Sequence, residues 1–329
     1  MTFVSIRDLK VAFDGVPVLH GIDFDIDRGE AIGLVGESGC GKSVTWLAAL
    51  GLLPGKARIQ GSVRLEGQEL VGASRSSLER VRGARIAMIF QDPSSSLNPV
   101  QRVGRQIGES LRLHRGLRGS AARSETLRLM DMVGIPAAKS RIDLYPHEFS
   151  GGQCQRIMIA MALAGQPDLL IADEPTTALD ATIQAQILEL LSELRRQTGM
   201  ALVFISHDLG AVSAVCDRAA VMYAGRIVEA NDIHSLFATP SHPYTQGLFR
   251  AIPDLDAGTS RLRPIEGTVP DPRALPPGCA FAPRCGAVSP ICANYSPELK
   301  EQRSGGHVAC FHPVHAARGV APAFQGVPA

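Results

Sequence analysis

One stretch of this chain narrows its possible folds more than any other: Gly36-Glu37-Ser38-Gly39-Cys40-Gly41-Lys42-Ser43, placed where the apolar periodicity changes. Before it, Ala31-Ile32-Gly33-Leu34-Val35 is a short, continuous apolar run of buried-strand type. After it, Val44 to Leu53 has the apolar spacing of a helix. Glycines at such a junction let successive backbone N–H groups turn inward around an anion without Cβ clashes, and the following helix aims its positive end at the same point. The run is therefore expected to cradle phosphates, with Lys42 reaching the β and γ phosphates of a nucleotide and the Ser43 hydroxyl ligating Mg²⁺.

Two later segments add chemistry. Gln153 to Ala164 reads as a helix, so Ser150, Gly151 and Gly152 lie at its N-terminus, where free N–H groups and the helix dipole make a second anion site. One nucleotide needs only one cradle for its γ phosphate, so this second site is expected to serve a nucleotide held by another copy. Leu169 to Ala172 is a buried-strand run that ends in Asp173-Glu174, and alternation points the two carboxylates to different sides. Asp173 can hold the Mg²⁺ shell while Glu174 orients and deprotonates an attacking water. Leu202-Val203-Phe204-Ile205 is a further strand, and His207, just beyond its end, is suited to touch a γ phosphate.

On these residues the chain resembles the ATP-binding cassette ATPases over nearly all of positions 1 to 255. The resemblance implies that ATP is held by Gly36, Ser38, Gly39, Cys40, Gly41, Lys42, Ser43 and Val44, with Phe13 stacked on adenine. Phe13 also ends the alternation of a strand, so core is the alternative reading. In the same resemblance Ser43, Gln91 and Asp173 hold Mg²⁺, Glu174 and His207 are catalytic, and Phe149 to Gln153 is a signature whose Ser150, Gly151, Gly152 and Gln153 act on the partner's ATP. Ala178-Leu179-Asp180 becomes a loop at the dimer contact. Two departures stand out: Phe149 occupies a position where leucine is commoner, and Cys40 inside the phosphate loop suggests sensitivity to thiol reagents.

Length and charge agree with this reading. With 329 residues, 45% apolar content and a formal net charge of +1, the chain can hold one large folded unit plus an addition, and it lacks the basic footprint of a nucleic-acid binder. Phe3 to Phe13, Leu19 to Ile26, Ser62 to Leu65 and Arg85 to Phe90 read as strands, with turns at Asp14-Gly15 and Arg28-Gly29. From Val103 to Ala164 the spacing is helical, broken at Gly116, Gly119, Gly134 and Pro136. The expected fold class is α/β: a P-loop core with an antiparallel β subdomain, a helical subdomain over about 92–165, and a small cysteine-containing C-terminal extension. Residues 1–255 would form the nucleotide-binding domain and 256–329 the extension. The N-terminus does not read as a signal peptide, and no apolar run reaches bilayer length. Any transport would need separate membrane subunits, with the chain peripheral on the cytoplasmic face of the inner membrane.

The tail narrows the resemblance. His242-Pro243-Tyr244-Thr245-Gln246-Gly247-Leu248, Tyr145-Pro146-His147-Glu148 before the signature and the Asp92-Pro93 to Asn98-Pro99 segment look like the bacterial oligopeptide and dipeptide importer ATPases, and nickel and glutathione importers share much of the pattern. The resemblance implies a second ATPase subunit, either a sister chain or an identical copy. It also implies two permease subunits and, indirectly, an extracytoplasmic substrate-binding protein, with no nucleic acid. The segment after Gln91 would lie near the surface that receives a short permease helix. Cys279, Cys285, Cys292 and Cys310 fall in a tail too poor in apolar residues for a large core of its own. Their spacing lacks the short pair usual for structural zinc, and four thiolates can hold an iron–sulfur cluster; zinc and plain reduced thiols remain alternatives. The importer resemblance favours [4Fe–4S]. Cys154 and Cys216, within helical patterns, read as core.

Overall fold

The computed structural model describes residues 2–177, 179–251, 265–302 and 305–314. The chain opens with β1 (Thr2–Phe13) and β2 (Val16–Asp27), a hairpin closed by Asp14 and Gly15. Both turn residues have positive φ, 48° and 85°, as a two-residue turn matched to strand twist requires. β3 (Ala31–Val35) then leaves this hairpin, and β4 (Ala57–Leu65) and β5 (Gln68–Glu69) return to it, giving an antiparallel sheet of order β2-β1-β4-β5.

A second sheet contains β3, β6 (Ile86–Ile89), β7 (Leu169–Asp173), β8 (Ala201–Ser206), β9 (Arg218–Tyr223), β10 (Arg226–Asp232), β11 (Lys300–Glu301) and β12 (His307–Val308). Its order is β11-β12-β10-β9-β3-β8-β7-β6. The run from β9 to β6 is parallel, and β10, β12 and β11 add to it antiparallel. Every residue of β3, β7 and β8 is buried, because the sheet is covered on both faces. Ile32, Leu34, Leu169, Ile171, Val203 and Ile205 pack with Ile6, Leu19 and Trp46 toward the antiparallel sheet. Their strand neighbours Ala31, Val35, Leu170, Ala172, Leu202 and Phe204 face the helices instead. Each large side chain fully withdrawn from water there contributes about 1.5–3 kcal/mol, so the two-sided burial strongly fixes strand register.

The helical insert leaves the sheet after β6. Helices Val103–Arg115 and Gly119–Met132 pack through Val103, Ile107, Leu111, Leu129 and Met130 against the helix Gly151–Leu163, which contributes Ile157. Glu125 ties two of these turns together: ion pairs from Arg128 and Arg115 hold its carboxyl down at about 2. Several boundaries differ from the sequence reading. The helix after the glycine loop runs Lys42–Ala49 and stops short of Leu53. The signature helix starts at Gly151 rather than Gln153, because Ser150 caps it. β4 begins five residues before Ser62, since pairing with β1 extends it, and β2 begins at Val16, where the tight turn releases the chain. Cys154 and Cys216 are buried, as their helical pattern implies.

The C-terminal segment attaches to the main sheet. β12 pairs with β10 through Val308 and Glu229, and Phe281 is buried against Tyr223, Tyr244 and His242. A tail with few apolar residues is thus held by a core built elsewhere in the chain. The expected boundary between 255 and 256 lies outside the described residues. No helix among them is long and apolar enough to cross a membrane.

Candidate active site

The strand β3 ends at Val35, and the loop 36–41 folds back over the start of the helix Lys42–Ala49. Gly36 has φ 155°, and a Cβ there would stand 2.2 Å from the Met222 carbonyl oxygen. Gly41 has φ 105°, and a Cβ there would meet Leu19 at 2.5 Å. Both glycines are therefore demanded by close approach as well as by backbone conformation. Ser38 and Gly39 are exposed at the loop's crest, Ser43 and Val44 are half-buried, and Lys42 is buried. Lys42 Nζ donates to the carbonyls of Gly36 (2.7 Å) and Glu37 (3.2 Å), an ammonium held inside the loop by neutral acceptors.

Ser43 Oγ donates to Asp173 Oδ1 at 2.9 Å, although the two are far apart in sequence and β8 lies between their strands. Burial pushes the Asp173 carboxyl up, and the Ser43 hydrogen bond opposes that shift. A hydroxyl and a buried carboxylate in contact suit a hard divalent cation such as Mg²⁺, which takes oxygen ligands. Glu174 leaves the strand by adopting φ 47°, so the backbone, in addition to strand alternation, turns it away from Asp173. Its Oε2 is a meeting point: Gln91 Nε2 donates to it at 3.1 Å, Thr177 Oγ1 donates at 2.9 Å, and His207 Nδ1 lies 3.4 Å away. Gln91 and His207 are exposed, whereas the Glu174 side chain is 12% exposed, a carboxylate recessed behind two mobile-length partners. The structure thus brings Ser43, Asp173, Glu174, Gln91 and His207 into one connected set.

The signature residues stand apart from these contacts. Ser150 Oγ accepts from the Gln153 N–H at 3.4 Å, and Gln153 Oε1 accepts from the Ser150 N–H at 3.2 Å, a reciprocal cap on the helix Gly151–Leu163. Ser150 and Gly151 are exposed, and Gly152 is buried. Asp180 caps the helix Ala181–Thr198 by accepting from the Ile183 N–H at 3.0 Å; its neighbour Ala178 lies outside the described residues. Phe13 is half-buried at the end of β1. Cys40 contradicts the expectation of reagent sensitivity. It is fully buried and burial pushes its thiol up, which suppresses the reactive thiolate.

Cys279, Cys285, Cys292 and Cys310 line one small pocket. Burial pushes the thiols of Cys279, Cys285 and Cys310 up, the last to about 11, which keeps them protonated in the absence of a compensating cation. Among the described residues no three His, Cys, Asp or Glu side chains form a site for a metal ion. The donor set suits a thiolate-ligated cluster, but the space among the thiols, about 10 Å³, is room for one water, so they would have to spread to admit one.

Two groups of residues were not foreseen in the sequence. Thr177 shares the segment of Glu174, and a hydroxyl three residues beyond a carboxylate at a turn was a usable signal. Arg284 had none: it pairs with Glu37 of the glycine loop across 247 positions, Nη1 to Oε2 at 2.7 Å and Nη2 to Oε1 at 3.1 Å. Tyr244, beside the buried His242, accepts the Glu37 N–H at 2.9 Å. Burial drives His242 down to about 4, so it stays neutral and its Nδ1 accepts the Tyr244 N–H.

A glycine loop between β3 and its helix, with an acidic pair two strands away, defines a P-loop nucleotide-binding protein of the α/β class. A family profile for ABC transporters matches residues 19–177, and a profile for the C-terminal region of oligopeptide/dipeptide transporters matches residues 228–292. A peptide import ATP-binding protein of Brucella abortus is 52% identical over 89% of this chain and 90% of its own length. The oligopeptide transport ATP-binding protein OppD of Escherichia coli is 47% identical over 94% of this chain and 93% of its own. Among solved structures, cbiO1 from Clostridium perfringens, part of the transporter complex cbiONQ, superposes with a TM-score of 0.64 at 28% identity, covering 72% of this chain and 91% of that one. The chain belongs to the ABC transporter family, as an ATP-binding-cassette ATPase.

Proposed function

We propose that the chain is the ATP-hydrolysing subunit of a bacterial importer of dipeptides or oligopeptides, working at the cytoplasmic face of the inner membrane through separate permease subunits. The observation that carries the chemistry is the convergence on Glu174 Oε2 beside the Ser43–Asp173 pair. The peptide class rests on the transporter-type C-terminal region and on the names of the two relatives. A nickel or glutathione importer is the alternative, since this subunit need not touch the cargo.

In this reading the loop N–H groups from Gly36 to Val44 receive the phosphates of ATP. Lys42 exchanges the Gly36 and Glu37 carbonyls for phosphate oxygens, and Phe13 stacks on adenine. Ser43, Asp173 and Gln91 would hold Mg²⁺, which would neutralise charge on the phosphates. Glu174, steadied by Thr177 and Gln91, aligns a water and takes its proton. The water oxygen forms the new bond to the γ phosphorus as the bond to the β–γ bridging oxygen breaks. His207 donates to a γ-phosphate oxygen. The exposed Ser150-Gly151 helix start covers the ATP of a second ATPase subunit, and Asp180 lies on that contact.

Gln91 joins this chemistry to the helical insert, because the short helix Pro93–Ser96 follows it directly. The segment from Gln91 to Pro99 is the proposed seat of the permease contact, and a groove of about 550 Å³ lined by Arg102, Arg105, Arg112, Glu109 and Asp143 opens on the same insert. An external substrate-binding protein would deliver cargo to the permease. Residues 1–255 and 256–329 are assigned as cassette and extension.

Because the exposed Ser150-Gly151 helix start serves a second subunit's ATP in this reading, hydrolysis should require two subunits. Specific activity is expected to fall toward zero on dilution through the dimer dissociation range, read by steady-state phosphate release alongside light scattering. Undiminished activity from a demonstrated monomer would refute the shared site. A [4Fe–4S] cluster held by Cys279, Cys285, Cys292 and Cys310 is the finer part of the proposal, supported by their convergence on one pocket. Anaerobic isolation should then yield about four irons per chain with broad visible absorbance. Iron-free, colourless protein would remove it.

A further inference from the structure

The glycine loop carries an acid. Glu37 sits among groups that must receive the most negative part of ATP, an arrangement that by itself repels the ligand. The structure cancels that charge with Arg284. The Arg284 side chain is 4% exposed and grips Glu37 through both terminal nitrogens. Its other donors reach Tyr223 Oη at 3.3 Å and the carbonyls of Glu266 (2.9 Å), Ile265 and Gly267 (both 3.3 Å). The guanidinium carbon also lies 5.8 Å from the Tyr223 ring centre and 5.9 Å from that of Phe281. Few lysines could replace such a fork.

Glu37 is fixed at every polar group. Its N–H donates to Tyr244, its carbonyl accepts from Lys42 Nζ and from the Cys40 N–H, and its carboxylate is held by Arg284. Orienting this peptide unit orients the next N–H groups of the loop. Arg284 itself stands on the turn Ala282–Arg284, between Cys279 and Cys285 of the thiol pocket. The tail therefore grips the phosphate loop from outside.

We infer that Arg284 is a positioning residue for nucleotide binding: through Glu37 it sets the loop and removes a repulsive charge, so the C-terminal segment completes the ATP site. This rests on the reading of the loop as an ATP site. It makes the tail and the nucleotide thermodynamically coupled, each tightening the other.

The test uses the full chain with ATP and Mg²⁺. Arg284→Ala should raise the KM for ATP about tenfold or more while kcat at saturation changes less than about threefold, since a half-buried carboxylate is left uncompensated near the phosphates. Adding Glu37→Gln to Arg284→Ala should recover part of that loss by removing the repulsive charge, whereas Glu37→Gln alone, which loosens the two-point grip but leaves the cation in place, should raise KM by less than Arg284→Ala does. Arg284→Lys, which keeps charge without the fork, should fall between. In the parent chain, ATP should slow amide hydrogen exchange over residues 281–286, a response lost in Arg284→Ala. If Arg284→Ala unfolds, Arg284→Lys and Glu37→Gln report the same coupling by KM and exchange. Unchanged KM in both arginine variants, a kcat-only defect, no relief from Glu37→Gln, or exchange at 281–286 indifferent to ATP would each overturn the inference. A parent chain that fails to bind ATP would instead refute the site reading beneath it.

Discussion

Glu174→Gln is expected to bind ATP with Mg²⁺ as the parent chain does and to hydrolyse it at least about 10²-fold more slowly, a barrier increase of roughly 3 kcal/mol or more. The substitution is nearly isosteric. The glutamine amide oxygen can still accept from Thr177 Oγ1 and Gln91 Nε2, which now donate to Glu174 Oε2 at 2.9 and 3.1 Å. The Ser43–Asp173 contact is untouched. What disappears is the ability to take a proton from water, because an amide has no basic site near neutral pH. Binding and chemistry should therefore separate: equilibrium binding unchanged, single-turnover phosphate release slowed, and the subunit pair accumulating with ATP between its halves. Turnover within about threefold of the parent would show that another group is the base and that Glu174 only shapes the site.

How far this could be read from the sequence depended on whether neighbours in chain were neighbours in space. The parallel core was legible because β3, β7 and β8 are buried on both faces and so appear as uninterrupted apolar runs. The glycine loop was legible because its function needs consecutive backbone groups. The Asp173-Glu174 pair was legible as adjacent acids, but its separation into two roles depends in part on the positive φ of Glu174, which no pattern announces.

Other features were invisible for physical reasons. β11 and β12 are two residues each and owe their existence to pairing with β10, so their own propensities carry no signal. The Glu37–Arg284 pair joins the loop to the tail across the whole fold, and charges of opposite sign are too common for any one pairing to show in a single sequence. Cys40 was misjudged in the same way. Its place in a functional loop suggested access, whereas the loop folds its thiol inward against Gly36 and Lys42. The helix after the loop was overestimated because Leu50 to Leu53 continue the apolar spacing although the chain turns at Gly51, with φ 60°.

Lys42→Ala should fail one step earlier, at binding. In the present arrangement the ammonium is nearly buried and satisfied by the carbonyls of Gly36 and Glu37, so the loop is already shaped around a positive charge. Removing it leaves those carbonyls without their donor and leaves the phosphates without the one side-chain cation inside the cradle among the described residues. A charge-assisted hydrogen bond to a buried partner is worth about 1.5–3 kcal/mol, so affinity for ATP should fall by roughly 10²-fold, measured by calorimetry at constant ionic strength. Arginine at this position should not rescue it, since the space beside Cys40 and Gly36 accepts a slender chain and a point charge rather than a planar fork. The Ser43–Asp173 pair and the overall fold should survive, because Lys42 lies at the first turn of a helix whose buried Trp46 and Ala49 anchor it independently. A tight complex with ATP in a folded Lys42→Ala chain would mean that the loop amides alone suffice and that the charge placed here serves something other than binding.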